Sequence, residues 1–293
     1  MTDIPLLNSL DMEILMHRDV HFGGSFDVMI EYYDNEGIGC MPDFDRSRIY
    51  ELKLAEENHG DNLSESLLPD PAKQEVERAK KVYIDLRSVY EEDKGEMPRL
   101  LSDLILSEEE LPQSEIDAIA AHKEEAVGPL VDLLHADRFY DPLYPGYGRA
   151  PILAAKCLAR IGETSSIPHL FQALDQDNFF TDESIIKALA SFGSPARDFL
   201  IERLLQKPPS KDNERAAIAL SSFPHDPDIG HAFLTLLQDP DLTKNTQLAI
   251  YAACGCSEIT DPAQLESFNS LKDASHLNKQ VQDEIALLLK IRK

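Results

Sequence analysis

A spacing of 31 residues governs the second half of this chain. Gly162, Gly193, Pro224 and Gly255 fall on it, as do Leu158, Leu189, Leu220 and Tyr251; Ile161, Phe192, Phe223 and Cys254; and Ala155, Ile186, Ala217 and Leu248. Within one unit these columns stand at i, i+3, i+6 and i+7, which is the apolar face of a helix closed by a Gly or Pro stop. A unit of this size cannot bury its apolar face alone, so four copies predict a stack of repeats.

Each unit reads as two helices. The first supplies residues 150–161 and 167–174, the second 183–192 and 196–205, and the third 213–223 and 229–237. Ser194-Pro195, Asp226-Pro227 and Asp261-Pro262 punctuate the start of the second helix. A Ser or Asp cap accepts from orphan amides of the first turn, and a proline there gives up only an amide that has no partner. The second helices end on Leu174, Leu205 and Leu236, with Ser267 breaking the column in an atypical last unit. Residues 279–293 carry Val281, Ile285, Leu288 and Leu289 on one face, as expected of a helix that caps the open end.

A half-repeat precedes the array at 115–121 and 126–134. Leu134 lies 40 residues before Leu174, so nine extra residues are inserted, and they fall in 136–149. This tract places Phe139, Tyr140, Tyr144 and Tyr147 among two Pro and two Gly, followed by Arg149. Insertions in repeat arrays cluster on a binding face, and tyrosines give rigid contact area with a polar tip. The other reading of the tract is that it folds back to seal the junction with the N-terminal helices.

The Ala and Leu columns and the glycine stops at Gly162, Gly193 and Gly255 resemble HEAT-like repeats over residues ~115 to 270, particularly the short kind found in the phycocyanobilin lyase family. The resemblance implies an all-α fold, an α-α superhelix of HEAT-like solenoid type with a helical N-terminal domain. It also implies a scaffold that holds another protein in a groove of its second helices, with few enzymes among such proteins. The deoxyhypusine hydroxylases of this class bind iron through His-Glu pairs on successive helices; this sequence contains no His-Glu dipeptide.

Residues 1–112 do not follow the period and are expected to form an acidic, mainly helical domain, with 113–293 as the repeat array. Leu7, Leu10, Ile14, His17 and His21 mark one helix face, ended by Gly23 and Gly24. Asp70-Pro71 opens a second helix with Val76, Ala79, Tyr83, Leu86 and Tyr90 at spacings of three and four, and a third runs over 98–106. The polar stretch 56–65 reads as a loop.

Charge is uneven as well. The net charge is −25; residues 1–125 hold 31 Asp and Glu against 12 Lys and Arg, and the remainder 22 against 16. Such a field repels phosphate backbones and anionic membranes and attracts basic proteins. With no basic stripe and no Trp, nucleic-acid binding is set aside, as is a membrane partner. Four cysteines, Cys40, Cys157, Cys254 and Cys256, are too few for a disulfide framework, and the first residues show no signal-peptide pattern, so a cytoplasmic location is expected.

Candidate chemistry is sparse. Glu13, His17 and His21 are four apart and share a helix face, but the histidines continue an apolar stripe, which makes them packed rather than metal-ligating. Cys254 and Cys157 occupy core columns and read as small buried residues. Residues 34–45 lack the ligands of a calcium loop. No catalytic residue, metal or cofactor is therefore assigned. The leading expectation is a non-enzymatic protein-binding scaffold, its contacts being Phe139, Tyr140, Tyr144, Tyr147 and Arg149 with Arg160, Lys187, Arg203 and Arg215 on or near the repeat helices; a basic protein is the sharper choice of partner. The alternative is a small-molecule-binding or lyase-like enzyme with a pocket between the N-terminal domain and the first repeat, walled by Tyr140, Tyr144, Tyr147 and Arg149.

Overall fold

The computed structural model describes residues 8–92, 94–174, 179–223 and 226–291. They are all-α, with no strand among the described residues. Leu7 and Pro224 of the expected pattern, and the last two residues of the expected capping helix, lie outside them. Two compact units divide the chain, Met1–Ile161 and Gly162–Lys293. The boundary expected from the repeat register, at 112/113, falls inside the first unit.

The first unit contains α1 (Ser9–His21), α2 (Phe26–Asp34), α3 (Arg46–His59), α4 (Leu63–Leu67), α5 (Asp70–Ser88), α6 (Glu96–Leu106), α7 (Gln113–Ala120), α8 (Glu124–Leu134) and α9 (Ala150–Ile161). Helix α1 begins in a capping box: Asn8 Oδ1 accepts from the Asp11 amide at 2.8 Å and Asp11 Oδ2 from the Asn8 amide at 3.1 Å. Its end is tied by Phe22 and Gly24, whose amides both donate to the Arg18 carbonyl. Helices α1 and α5 pack together, and α9 packs against α6, α7 and α8.

The stretch 56–65, expected as a loop, is largely helical: α3 continues to His59 and α4 begins at Leu63. Three of its polar residues, Glu56, Asn62 and Ser64, serve Arg18, whose side chain is wholly buried, while Glu57, Asn58, His59, Asp61 and Glu65 are exposed. Glu56 accepts from Arg18 Nη1 at 2.6 Å and from the Leu63 amide at 2.8 Å, Asp19 accepts from Nε at 2.8 Å, and Asn62 and Ser64 take Nη2 at 3.2 and 2.8 Å. Phe26 stacks under the same guanidinium at 4.5 Å. A buried cation needs such a shell, because its desolvation is repaid only when charge pairing is joined by hydrogen bonds to its remaining N–H groups.

The second unit holds α10 (Ile167–Gln172), α11 (Phe179–Ser191), α12 (Ser194–Leu204), α13 (Lys211–Leu220), α14 (Pro227–Gln238), α15 (Thr246–Gly255), α16 (Pro262–Ser270) and α17 (Lys279–Ile291). From α11 onward first helices touch the next first helix, α11 with α13, α13 with α15 and α15 with α17, and from α12 onward second helices touch the next second, α12 with α14 and α14 with α16. This is the packing of an α-solenoid. Asn213, fully buried, joins two repeats: its amide group donates to the carbonyls of Arg203, Leu204 and Gln206 at 3.1, 2.9 and 2.8 Å, satisfying the end of α12 from the start of α13.

The expected helix-start chemistry holds at Asp226 and Asp261, which accept from the amides of Asp228 and Gln264. It does not hold at Ser194, which is already helical; the cap position belongs to Gly193, at φ +66° and without a side-chain bond. Gly162 and Gly193 are left-handed stops (φ +76° and +66°), as only glycine accepts cheaply. Gly255 is different. It is helical, at φ −62°, and a Cβ there would stand 2.3 Å from Phe233.

The reason lies in the register. In α9, α11 and α13 the buried positions Leu158, Leu189 and Leu220, with Ala155, Ile186 and Ala217, keep the 31-residue spacing. In α15 the buried positions are Leu248, Ala249, Ala252 and Ala253, so Ala216, Ala217 and Leu220 find their counterparts 32 residues on. One extra residue turns a helix by about 100°. Tyr251 is accordingly half-buried and Cys254 exposed, against the core positions expected of both, while Cys256 takes a fully buried place.

Candidate functional site

The inserted tract 136–149 leaves the end of α8, makes one 3-10 turn at Asp137–Tyr140 and closes through Gly146, Tyr147 and Gly148 at φ +86°, +56° and +77°. Three successive left-handed residues explain the two glycines; Gly148 is further held by the Tyr140 carbonyl oxygen, 2.9 Å from where a Cβ would be. The central residue is an aromatic one, for which this conformation is costly. Packing of its ring offsets that cost. The Tyr147 ring lies 4.7 Å from His21 and 6.3 Å from Tyr32, centroid to centroid.

Around it runs a chain of polar contacts. Tyr32 donates to Glu108 Oε2 at 2.7 Å and accepts from the Gly39 amide at 2.9 Å; Tyr147 donates to Glu108 Oε1 at 3.2 Å. His21 Nε2 lies 3.1 Å from the Pro142 carbonyl, which only accepts, so Nε2 carries the proton and Nδ1 accepts from the Tyr83 hydroxyl at 2.8 Å. Both ring nitrogens of His21 are thereby used. Burial, reinforced by the neighbouring His17, pushes the His21 pKa down to about 3, and burial alone takes His17 to about 4. Burial and the Glu108 carboxylate push the Tyr32 hydroxyl up to about 12, and burial first of all raises Tyr83 and Tyr147 as well. These groups stay neutral near pH 7. Their chemistry is hydrogen bonding rather than proton transfer.

The structure brings together the five tract residues named from the sequence, and it engages them within the first unit. Phe139 is buried, with Arg138 stacked 5.1 Å from its ring centroid. Tyr140 donates to the Leu134 carbonyl at 2.7 Å, one of the orphan acceptors at the end of α8. Tyr144 donates to Glu75 Oε1 at 2.5 Å on α5. Arg149 reaches the carbonyls of Glu109 and Glu110 at 2.5 and 3.3 Å. The tract therefore folds back onto α1, α5 and the segment before α7. No observation favours a small-molecule pocket walled by Tyr140, Tyr144, Tyr147 and Arg149, since their polar atoms are bonded inside the protein.

The four basic residues lie on separate helices, each beside a local acceptor. Arg160 meets Asp117 at 3.1 Å, Lys187 meets Glu183 at 2.6 Å, Arg203 meets Gln206 at 3.0 Å and Arg215 meets Asp212 at 3.2 Å. Arg203 also covers the Phe199 ring at 5.0 Å. The Arg160 and Lys187 pairs are exposed and worth a fraction of a kcal/mol, so both cations remain accessible to a partner.

Sequence reasoning missed Tyr32, Tyr83 and Glu108, which complete the surroundings of Tyr147. Tyr83 was visible only as a stripe residue, and Glu108 as one acid in a run of three. Among the described residues no group of three or more His, Cys, Asp or Glu is placed to hold a metal ion.

Compared with known proteins, residues 149–221 match the family model of HEAT repeats. No curated protein matches the chain. The matched segment runs from the last residue of the inserted tract through the first two full repeats and α13. The match is to HEAT repeats as a class and does not single out the phycocyanobilin lyase type. The family match, the 31-residue register and the packing of first helix on first and second on second agree: residues 149–221 are HEAT-like repeats, in a chain whose described residues form an all-α solenoid.

Proposed function

We propose that the chain is a non-enzymatic protein-interaction scaffold, in which the repeats from residue 113 onward present binding surfaces and residues 1–112 form an acid-rich helical segment. The observation that carries this reading is the HEAT-repeat match over 149–221, a class of fold often used to hold other proteins. Arg160, Lys187, Arg203 and Arg215 are the contacts assigned on the repeat helices, and Phe139, Tyr140, Tyr144, Tyr147 and Arg149 shape the tract before them. A net charge of −25 favours a partner with basic surface and disfavours nucleic acid or an anionic membrane. Among the described residues no helix is long and apolar enough to cross a membrane. A cytoplasmic location belongs to the same proposal and rests on the low cysteine content.

The test compares capture of proteins from native cell extract by the intact chain and by a variant with Arg160, Lys187, Arg203 and Arg215 changed to Ala. A control variant carries Lys244→Ala and Lys279→Ala. Loss of a captured protein with the first variant alone, all three melting alike, is the expected result. Equal capture by all three overturns the assignment of these residues.

A further inference from the structure

The register slip at α15 leaves a cavity of about 430 Å³ between α13, α14, α15 and the start of α16. That is within the range of pockets that take small ligands or an anchoring side chain. Its walls are apolar, with Ile218, Phe223, Phe233 and Ile259 among them. Tyr251 and Cys254, the two residues that the 31-residue pattern assigns to the core, line it instead. Two glycines let its walls pack directly on the helix backbone: at Gly230 a Cβ would stand 2.9 Å from Ile259, and at Gly255 2.3 Å from Phe233. Departures from an otherwise consistent repeat are where function is expected.

The mouth is acidic. Asp226 and Asp261 belong to the lining. One cation, Arg197, stands among three carboxylates, 2.7 Å from Asp198, 2.7 Å from Asp226 and 3.3 Å from Asp228. The lining itself holds two carboxylates, Asp226 and Asp261, and the guanidinium beside Asp226 is shared with Asp198 and Asp228. An apolar socket with aromatic walls and a negative rim is complementary to a large apolar side chain next to positive charge.

We infer that this cavity is a socket for an aromatic or large aliphatic side chain of a partner segment that carries lysine or arginine beside that anchor. The inference rests on the scaffold reading and names both the place and the chemistry of the contact. Ile218, exposed at the rim, is the apolar lip over which the segment enters.

Cys254 supplies the readout, because its exposed thiol lines the cavity. Alkylation of Cys254 in the full chain is followed by peptide mass mapping, with and without three short capped peptides at about 1 mM: Lys-Lys-Phe-Lys, Glu-Glu-Phe-Glu and Lys-Lys-Ala-Lys. The expected result is slowing by the first peptide alone, several-fold, with alkylation of Cys40 unchanged. Slowing by none, or equally by all three, overturns the inference. Slowing by uncharged N-acetylphenylalanine amide as strong as by Lys-Lys-Phe-Lys overturns the basic partner and leaves a site for small apolar molecules.

Two variants keep the result independent of folding. Cys254→Phe fills the socket and is expected to abolish binding of a fluorescent Lys-Lys-Phe-Lys peptide. Asp228→Arg, at an exposed position, is expected to weaken it at least fivefold without changing the melting temperature; an unchanged affinity in a folded Asp228→Arg chain counts against the acidic rim. Cys254→Phe in the extract capture separates the two readings. A partner retained there leaves the scaffold standing and removes the socket from its contacts, whereas peptide protection with no partner captured keeps the socket and removes the scaffold.

Discussion

Gly39 and Tyr147 occupy one volume: a Cβ built on Gly39 would lie 2.4 Å from two ring carbons of Tyr147. The glycine is thus required by a side chain 108 positions away, in the inserted tract, and not by a turn of its own. Gly39→Ala is expected to destabilise the chain by about 1–3 kcal/mol through overpacking. With Tyr147→Ala as partner, the double variant should be more stable than the sum of the two single losses predicts. Urea unfolding of the four chains measures this coupling, and simple additivity contradicts the shared volume.

His17 and His21 make stability depend on pH. Their folded pKa values, about 4 and about 3, lie below the ordinary 6.5, so from pH 6.5 downward the unfolded chain binds protons that the folded chain refuses. Stability is fully present above about pH 7 and falls as the pH drops, by about 2 kcal/mol per histidine at pH 5. Urea midpoints from pH 7.5 to 5 report the slope, and His17→Phe should flatten it. A wild-type midpoint that does not change over this window contradicts neutral, buried rings.

Leu189 is fully buried in the last turn of α11 and is the most direct test of the 31-residue register. Leu189→Ala should cost about 2–5 kcal/mol. A loss under about 0.5 kcal/mol, read by thermal or urea unfolding, contradicts the register.

Gly162 and Gly255 share a column but not a role. Gly162→Ala places a Cβ in open space at φ +76°, so its cost of about 1 kcal/mol is backbone strain that no neighbour relieves. Gly255→Ala has no strain but meets Phe233 at 2.3 Å. Its larger cost, about 1–3 kcal/mol, should shrink in a Phe233→Leu background. Equal behaviour of the two glycines in that background contradicts the distinction.

Much of the fold was legible because core-facing residues repeat. Helix α9 was placed to the residue, and the other repeat helices to within a few residues of their ends, by columns of Ala and Leu alone. What a column does not show is rotation: the pattern counts 31, whereas α15 buries its apolar residues at 32, and Cys254 was therefore assigned to the core. Polar residues were the least legible. Glu56, Asn62 and Ser64 read as a loop because nothing local reveals that they surround Arg18, 38 to 46 positions earlier. The aromatic tract was found as a composition, while its partners His21, Tyr32, Tyr83 and Glu108 were not, since pairings between non-repeating segments leave no spacing to detect.

The slip at α15 has a wider consequence for arrays of this kind. Lengthening a connection by one residue rotates the following helix by about 100°, so part of its apolar face is turned away from the interior. Tyr251 shows this: Leu158, Leu189 and Leu220 in its column are buried, whereas Tyr251 itself is half-buried. A solenoid can in this way acquire a new apolar surface by a single insertion rather than by mutation of its core, and its neighbours absorb the cost locally, here with a glycine under Phe233.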